Sequence, residues 1–152
     1  MDLITKQESM RKGIMDFQEK LKDLDQVAIP VTNHFSKDIY GREITMPKGT
    51  IVVGKIHKHS SLNILAGGEI SLLTEEGTKR LKAPYVVSSK PGIKRVIYVH
   101  EDATWVTVHG TDETNVEKIE EQFIAKNYDD VELSPEQLKQ IDDLKKEDLC
   151  LG

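Results

Sequence analysis

The stretch from residue 39 to residue 109 constrains this chain most. It consists of short apolar runs broken at close intervals by turn-forming residues. Candidate strands lie at 39–45, 50–57, 63–65, 69–74, 79–82, 85–87, 94–99 and 104–109. Between them stand Pro47 and Gly49, Gly67 and Gly68, Gly77, Pro84, Pro91 and Gly92, and the Glu101 and Asp102 pair, residues that favour turns. Roughly eight strands in about seventy residues leave no room for the crossover helices that parallel strands require. The segment reads as an antiparallel all-β barrel or sandwich, and a doubly wound parallel sheet is excluded.

Helical patterns flank this core. From 6 to 25, Met10, Ile14, Phe17, Leu21 and Leu24 recur every three or four residues, which places them on one stripe of a helix. Pro30 then marks an extended exit. After the β-region, Thr114 is placed to cap a helix with Glu117 as its reciprocal partner, and Val116, Ile119 and Phe123 form its apolar face. Ser134, Pro135 and Gln137 give a second helix start, with Leu138, Ile141 and Leu144 as the stripe. The expected organisation is an amphipathic helix and linker at 1–30, a β-barrel at 31–112 and a helical extension at 113–152.

Composition narrows the function classes. With 152 residues the chain is sized for one domain. Its 38% apolar and 31% charged residues suit a globular protein. No apolar run is long enough to span a bilayer, and the first residues lack the basic patch and apolar core of a signal peptide. The single cysteine, Cys150, permits no internal disulfide. These features set a cytoplasmic expectation. A net charge of −5 and an aromatic content of 5% disfavour nucleic-acid binding, although Lys79, Arg80, Lys82, Lys90, Lys94 and Arg95 form a local basic cluster. Cys150 stands far from any base, no serine occupies a strand-turn-helix elbow, and the glycine pairs are not followed by a phosphate-binding helix.

His57 and His59 are the most informative residues. Side chains two apart in a strand point to one side, so both imidazoles could share a metal or a ligand at a strand end. Around them, His57, Lys58 and His59 are followed by Asn63 and then by Gly67 and Gly68. Further on, Pro91 and Gly92 are followed by Arg95 and Val99. These two stretches resemble the two motifs of the cupin superfamily, over roughly residues 38–109. The resemblance implies a jelly-roll β-barrel with a site at the mouth of the barrel. The wider look of the chain, including the run from His109 to Thr114, also resembles small uncharacterised cupin-like proteins of tailed phages and prophages.

A typical cupin metal site uses three histidines and a glutamate. Here Asn63 stands at the glutamate position, Arg95 at the histidine position of the second motif and Val99 at its asparagine position. A protonated guanidinium cannot ligate a metal. Two arrangements follow. In one, His109, on the same strand face as Trp105 and Thr107, joins His57 and His59 around one divalent transition metal. In the other there is no metal, and Arg95 holds a carboxylate or phosphate while the histidines, with Asn63, donate hydrogen bonds or move a proton. Tyr40, Arg42, Ile44 and Met46 share a face that forms either a polar rim or a subunit contact. If Arg95 points inward, Lys94, Tyr98 and His100 belong outside.

The expected function is binding of a small anionic molecule, with a metal or without. Whether the chain is an enzyme stays open at this point. The alternative is a non-catalytic phage protein that contacts a host or phage protein or builds a structural oligomer. Three apolar helical stripes around one small barrel also suggest a homodimer or larger homo-oligomer.

Overall fold

The computed structural model describes residues 3–74 and 76–125. In chain order it contains α1 (Leu3–Leu21), β1 (Val31–Ser36), β2 (Ile39–Met46), β3 (Ile51–Val53), β4 (Ile56–His57) and β5 (Ser61–Thr74). Then follow β6 (Gly77–Lys82), β7 (Tyr85–Ser89), β8 (Val96–Gly110), α2 (Val116–Phe123) and β9 (Ile124–Ala125). All strand pairings are antiparallel, as short turns between short apolar runs require.

Two long strands organise the molecule. β5 and β8 lie side by side, and each changes partner midway along its length. The first half of β5 pairs with β7 and its second half with β6. The first half of β8 pairs with β3 and its second half with β2, which carries β1 on its far side. One hydrogen-bonded network of seven strands therefore supplies two layers, β1-β2-β8-β5-β7 and β3-β8-β5-β6. Apolar side chains from both halves meet in one core, among them Met46, Leu65, Ile70, Leu81, Ile97, Val99 and Trp105. Alternation along β8 produces this directly: Ala103, Trp105, Thr107 and His109 are buried, one in every two residues.

The bend in β5 falls at Gly67 and Gly68, where the register with β8 slips. A glycine pair that reads as a strand break is therefore a bulge inside a continuous strand. Gly68 has φ +83°, and a Cβ there would stand 2.3 Å from the Asp102 carbonyl oxygen. The apparent break between 99 and 104 likewise lies within β8. Conversely, the expected strand 50–57 is split into β3 and β4. The expected barrel is a jelly roll whose sheets do not close: β1 and β6 end the ordered path of the main sheet, and β4 pairs with β9 in a separate two-stranded sheet.

Other expectations shift at their ends. α1 runs from Leu3 to Leu21 rather than over 6–25, and Leu24 lies past it, 62% exposed. Of its stripe only Ile14 is fully buried. β1 was not foreseen, because its side chains are exposed on both faces and its sequence carries no core-facing alternation. α2 is capped by Asn115, whose side chain accepts from the Lys118 amide at 3.1 Å, instead of by Thr114 with Glu117. The second C-terminal helix start at 134–137 and Cys150 lie outside the described residues. No described helix is long and apolar enough to cross a membrane.

Candidate functional site

A cavity of about 220 Å³ opens between the layers, lined by β2, the 52–57 segment, β8 and α2. Four of its polar side chains come from sequence-predicted positions: His57, Arg95, His109 and Arg42. β2 also contributes Tyr40, and β8 contributes Trp105 and Thr107. Alternation places Trp105, Thr107 and His109 on the inner face of β8, as their spacing predicts.

Arg95 lies just before β8. Its carbonyl accepts from the Gly54 amide at 2.8 Å, which ties this turn to the end of β3. Its guanidinium donates to the Ser89 hydroxyl and sits 5.5 Å from the centre of the Trp105 ring, a cation–π distance. Burial lowers its pKa to about 10, so it is charged at neutral pH. Among the described residues no carboxylate lies within ion-pair distance of it.

His57 and His109 stack, with ring centres 5.3 Å apart and planes 16° from parallel. His109 stacks in turn on Phe123 at 4.3 Å, making a ladder of three flat rings. Burial drives the pKa of His57 down to about 3, helped by the charges of His109 and Arg95. Burial lowers that of His109 to about 4. Both imidazoles are therefore neutral at physiological pH. The Nδ1 atom of each is buried out of reach of water and has no hydrogen-bond partner among the described residues.

His59 does not join them. β4 ends at His57 and the chain bends through 58 and 59, so the strand alternation that would put both imidazoles on one side stops one residue too early. His59 is exposed and meets Phe123 edge-on at 5.9 Å. Asn63 does not line the cavity either. It is fully buried and committed to its neighbours: its amide nitrogen donates to the Ser61 and Ser89 hydroxyls, and its oxygen accepts from Thr107 at 3.0 Å. The metal arrangement of His57, His59 and His109 thus loses one ring to the outside, and Asn63 is not free to help. Among the described residues no three His, Cys, Asp or Glu side chains form a group able to hold a metal ion. A guanidinium beside two neutral imidazoles also repels a divalent cation. The residues present do not fit a cupin-type metal.

The remaining assignments divide cleanly. Tyr98 is 44% exposed, and His100 bonds Ser71 at 2.7 Å outside the cavity, as the inward placement of Arg95 implies. Lys94 does not line this cavity, yet it is not on the surface as expected: it is only 6% exposed, and burial together with Lys22 lowers its pKa. The polar-rim reading of Tyr40 and Arg42 fits, because both line the cavity, and Tyr40 donates to Asn33 on β1 at 2.5 Å.

Three contributors were not legible in the strand pattern. Glu120 and Phe123 lie on α2, and Lys55 on the loop after β3. Lys55 and Glu120 pair at 2.7 Å across the cavity mouth. The β4–β9 pairing, with Ile56 opposite Ala125 and His57 opposite Ile124, lays the end of α2 over the site. The Lys58 amide donates to the Phe123 carbonyl at 2.7 Å and fastens the same seam. The only prior sign of this cover was the apolar spacing of Val116, Ile119 and Phe123.

No protein-family model and no curated protein sequence matches this chain. Solved structures do. Ectoine synthase from P. lautus superposes with a TM-score of 0.53 at 14% identity, over 70% of this chain and 84% of that one. An RmlC-like cupin family protein with a double-stranded β-helix fold from Methanocaldococcus jannaschii matches at 0.47 and 16% identity, over 58% of this chain and 84% of that one. A cupin superfamily protein from Desulfitobacterium hafniense matches at 0.49 and 12% identity, over 61% and 86%. At these identities the likeness concerns the fold. The match to ectoine synthase and the two-layer antiparallel topology agree on a jelly-roll architecture.

Proposed function

We propose that this chain binds a small anionic molecule in the cavity between its two layers, with Arg95 as the anchor and without a metal. The observation that carries this reading is a half-buried guanidinium with no carboxylate partner among the described residues, lining the same cavity as two neutral imidazoles. A buried charge without a counter-ion is unfavourable, and an anion supplies the missing partner through charge-assisted hydrogen bonds. Arg42 at the cavity rim adds long-range attraction for an incoming anion. His57 and His109 contribute two stacked, neutral rings to the cavity wall.

With pKa values near 3 and 4, neither imidazole is an effective general base at neutral pH. A bound anion would raise both values, since a nearby negative charge favours the protonated ring. Binding would thereby prepare a proton donor that the empty site lacks.

Isothermal titration calorimetry of the full chain against acetate, benzoate, phosphate and sulfate tests the proposal, with EDTA present throughout. At least one anion should bind, and Arg95→Gln should weaken that binding by tenfold or more. Binding of none of the four, or equal binding by the Arg95→Gln protein, would refute it.

A further inference from the structure

Charge, size and lining of the cavity together restrict the ligand class. The ionisable lining side chains beyond the two neutral histidines and Tyr40 are Arg42, Lys55, Arg95 and Glu120. Lys55 and Glu120 cancel each other at 2.7 Å. Arg42 is exposed, so water and salt screen it. Glu76, the carboxylate that acts on Arg95 from a distance, lies in a neighbouring hollow behind β6 and β7 that Arg95 and Ser89 also line, and its carboxylate stands 3.8 Å from Lys90 rather than in ion-pair contact with Arg95. Among the described residues Arg95 is therefore the one lining charge that is at least half-buried and has no ion-pair partner.

A phosphate ester carries about −1.5 to −2 at neutral pH and would bring more negative charge than this interior offsets. A carboxylate brings one charge, and its two oxygens match the fork of a guanidinium. Size acts in the same direction. About 220 Å³ is below the roughly 300–1,000 Å³ of pockets for drug-sized ligands, which leaves no room for a nucleotide or a nucleotide sugar. The rest of the wall is mostly apolar and aromatic, with Ile44, Val52, Ile97, Trp105, Ile119 and Phe123 facing the space. A ligand with several hydroxyl groups would lose hydrogen bonds to water that this wall cannot replace.

Resting on the anion-binding reading above, we infer that the ligand is a compact monocarboxylate with an apolar body, its carboxylate on Arg95 and its body against the Trp105 and Phe123 side of the cavity. The class includes short branched aliphatic acids and single-ring aromatic acids. Trp105 is the only tryptophan of the chain and stands in contact range of the Arg95 guanidinium, so its emission reports directly on occupancy.

The test is a fluorescence titration of the full chain with three sets of probes: benzoate and 4-methylpentanoate, the corresponding neutral amides, and inorganic phosphate. At least one acid should change Trp105 emission saturably. Its amide should bind tenfold or more weakly, and phosphate should bind tenfold or more weakly still than the acid. Arg95→Met, checked for folding by its thermal melt, should lose the response to the acid, while the comparison of acid with amide needs no variant. Phosphate binding more tightly than either acid would overturn the monocarboxylate class and leave anion binding intact. Amides that bind as well as acids, or no response to any probe, would overturn both.

Discussion

At the residue scale, the two inner histidines make stability depend on pH. Each is neutral when folded, with a pKa near 3 for His57 and 4 for His109, against about 6.5 in an unfolded chain. Between those limits the unfolded state binds more protons than the folded one, so acid favours unfolding. Their contribution is fully present above about pH 6.5 and declines as pH falls through 6 and 5 toward 4. Each group can account for up to about 1.4 kcal/mol per pH unit within that window. Urea melts between pH 7 and 4.5 should show this decline, and the double variant His57→Gln, His109→Gln should flatten it. A wild-type profile that is already flat over that range would contradict the burial of neutral rings. Glu69, Glu113 and Glu120 have lowered pKa values, so what they contribute is lost as pH falls through the ordinary carboxylate range, at the acid end of this window. Arg95 and His57 were legible as site residues because each sits in a motif-like stretch next to turn residues. Asn63 and His59 occupy equally suggestive positions, but what a side chain does there depends on hydroxyls and backbone brought in from other strands.

At the scale of elements, the bend of β5 against β8 positions the site. It lets one strand serve both layers, and Trp105, Thr107 and His109 of β8 line the cavity while Val96 and Val99 are buried beyond the bend. Gly68 permits the bend. Its φ of +83° already disfavours any side chain, and the Asp102 carbonyl and Ala103 Cα stand where a Cβ would go. Gly68→Ala should therefore cost about 3 kcal/mol or more in urea melts, since backbone atoms cannot move aside cheaply. Gly77→Ala is the control: its φ of +118° imposes strain, but nothing lies within 4 Å of the added carbon, so about 1–2 kcal/mol is expected. Equal losses at the two positions would show that the close approach at Gly68 contributes nothing. The sequence marks both glycines alike as punctuation. Only the partner strand separates a bulge from a turn.

At the scale of the whole molecule, α2 and β9 act as a cover for the space between the layers. Ile119 and Phe123 of α2 are buried, and Phe123 completes the ring ladder on His109. Phe123→Ala should cost about 3 kcal/mol, in the range for emptying a buried aromatic site. It should also make Trp105, 4% exposed in the intact protein, more accessible to acrylamide and shift its emission to the red. Quenching that matches the wild-type protein would show that α2 does not shield the cavity.

The sequence by itself determined the all-β class, the antiparallel pairing, a helix on each side of the β-region, and the inward alternation of Trp105, Thr107 and His109. Those properties follow from local periods and turn chemistry, which are written within a few residues of each position. Tertiary structure alone decided that the jelly roll stays open, that His59 leaves the site while Phe123 enters it, and that Arg95 lacks a carboxylate partner among the described residues. Each of these depends on contacts between segments far apart in the chain, such as the pairing of β4 with β9, and no local pattern encodes which distant partner arrives.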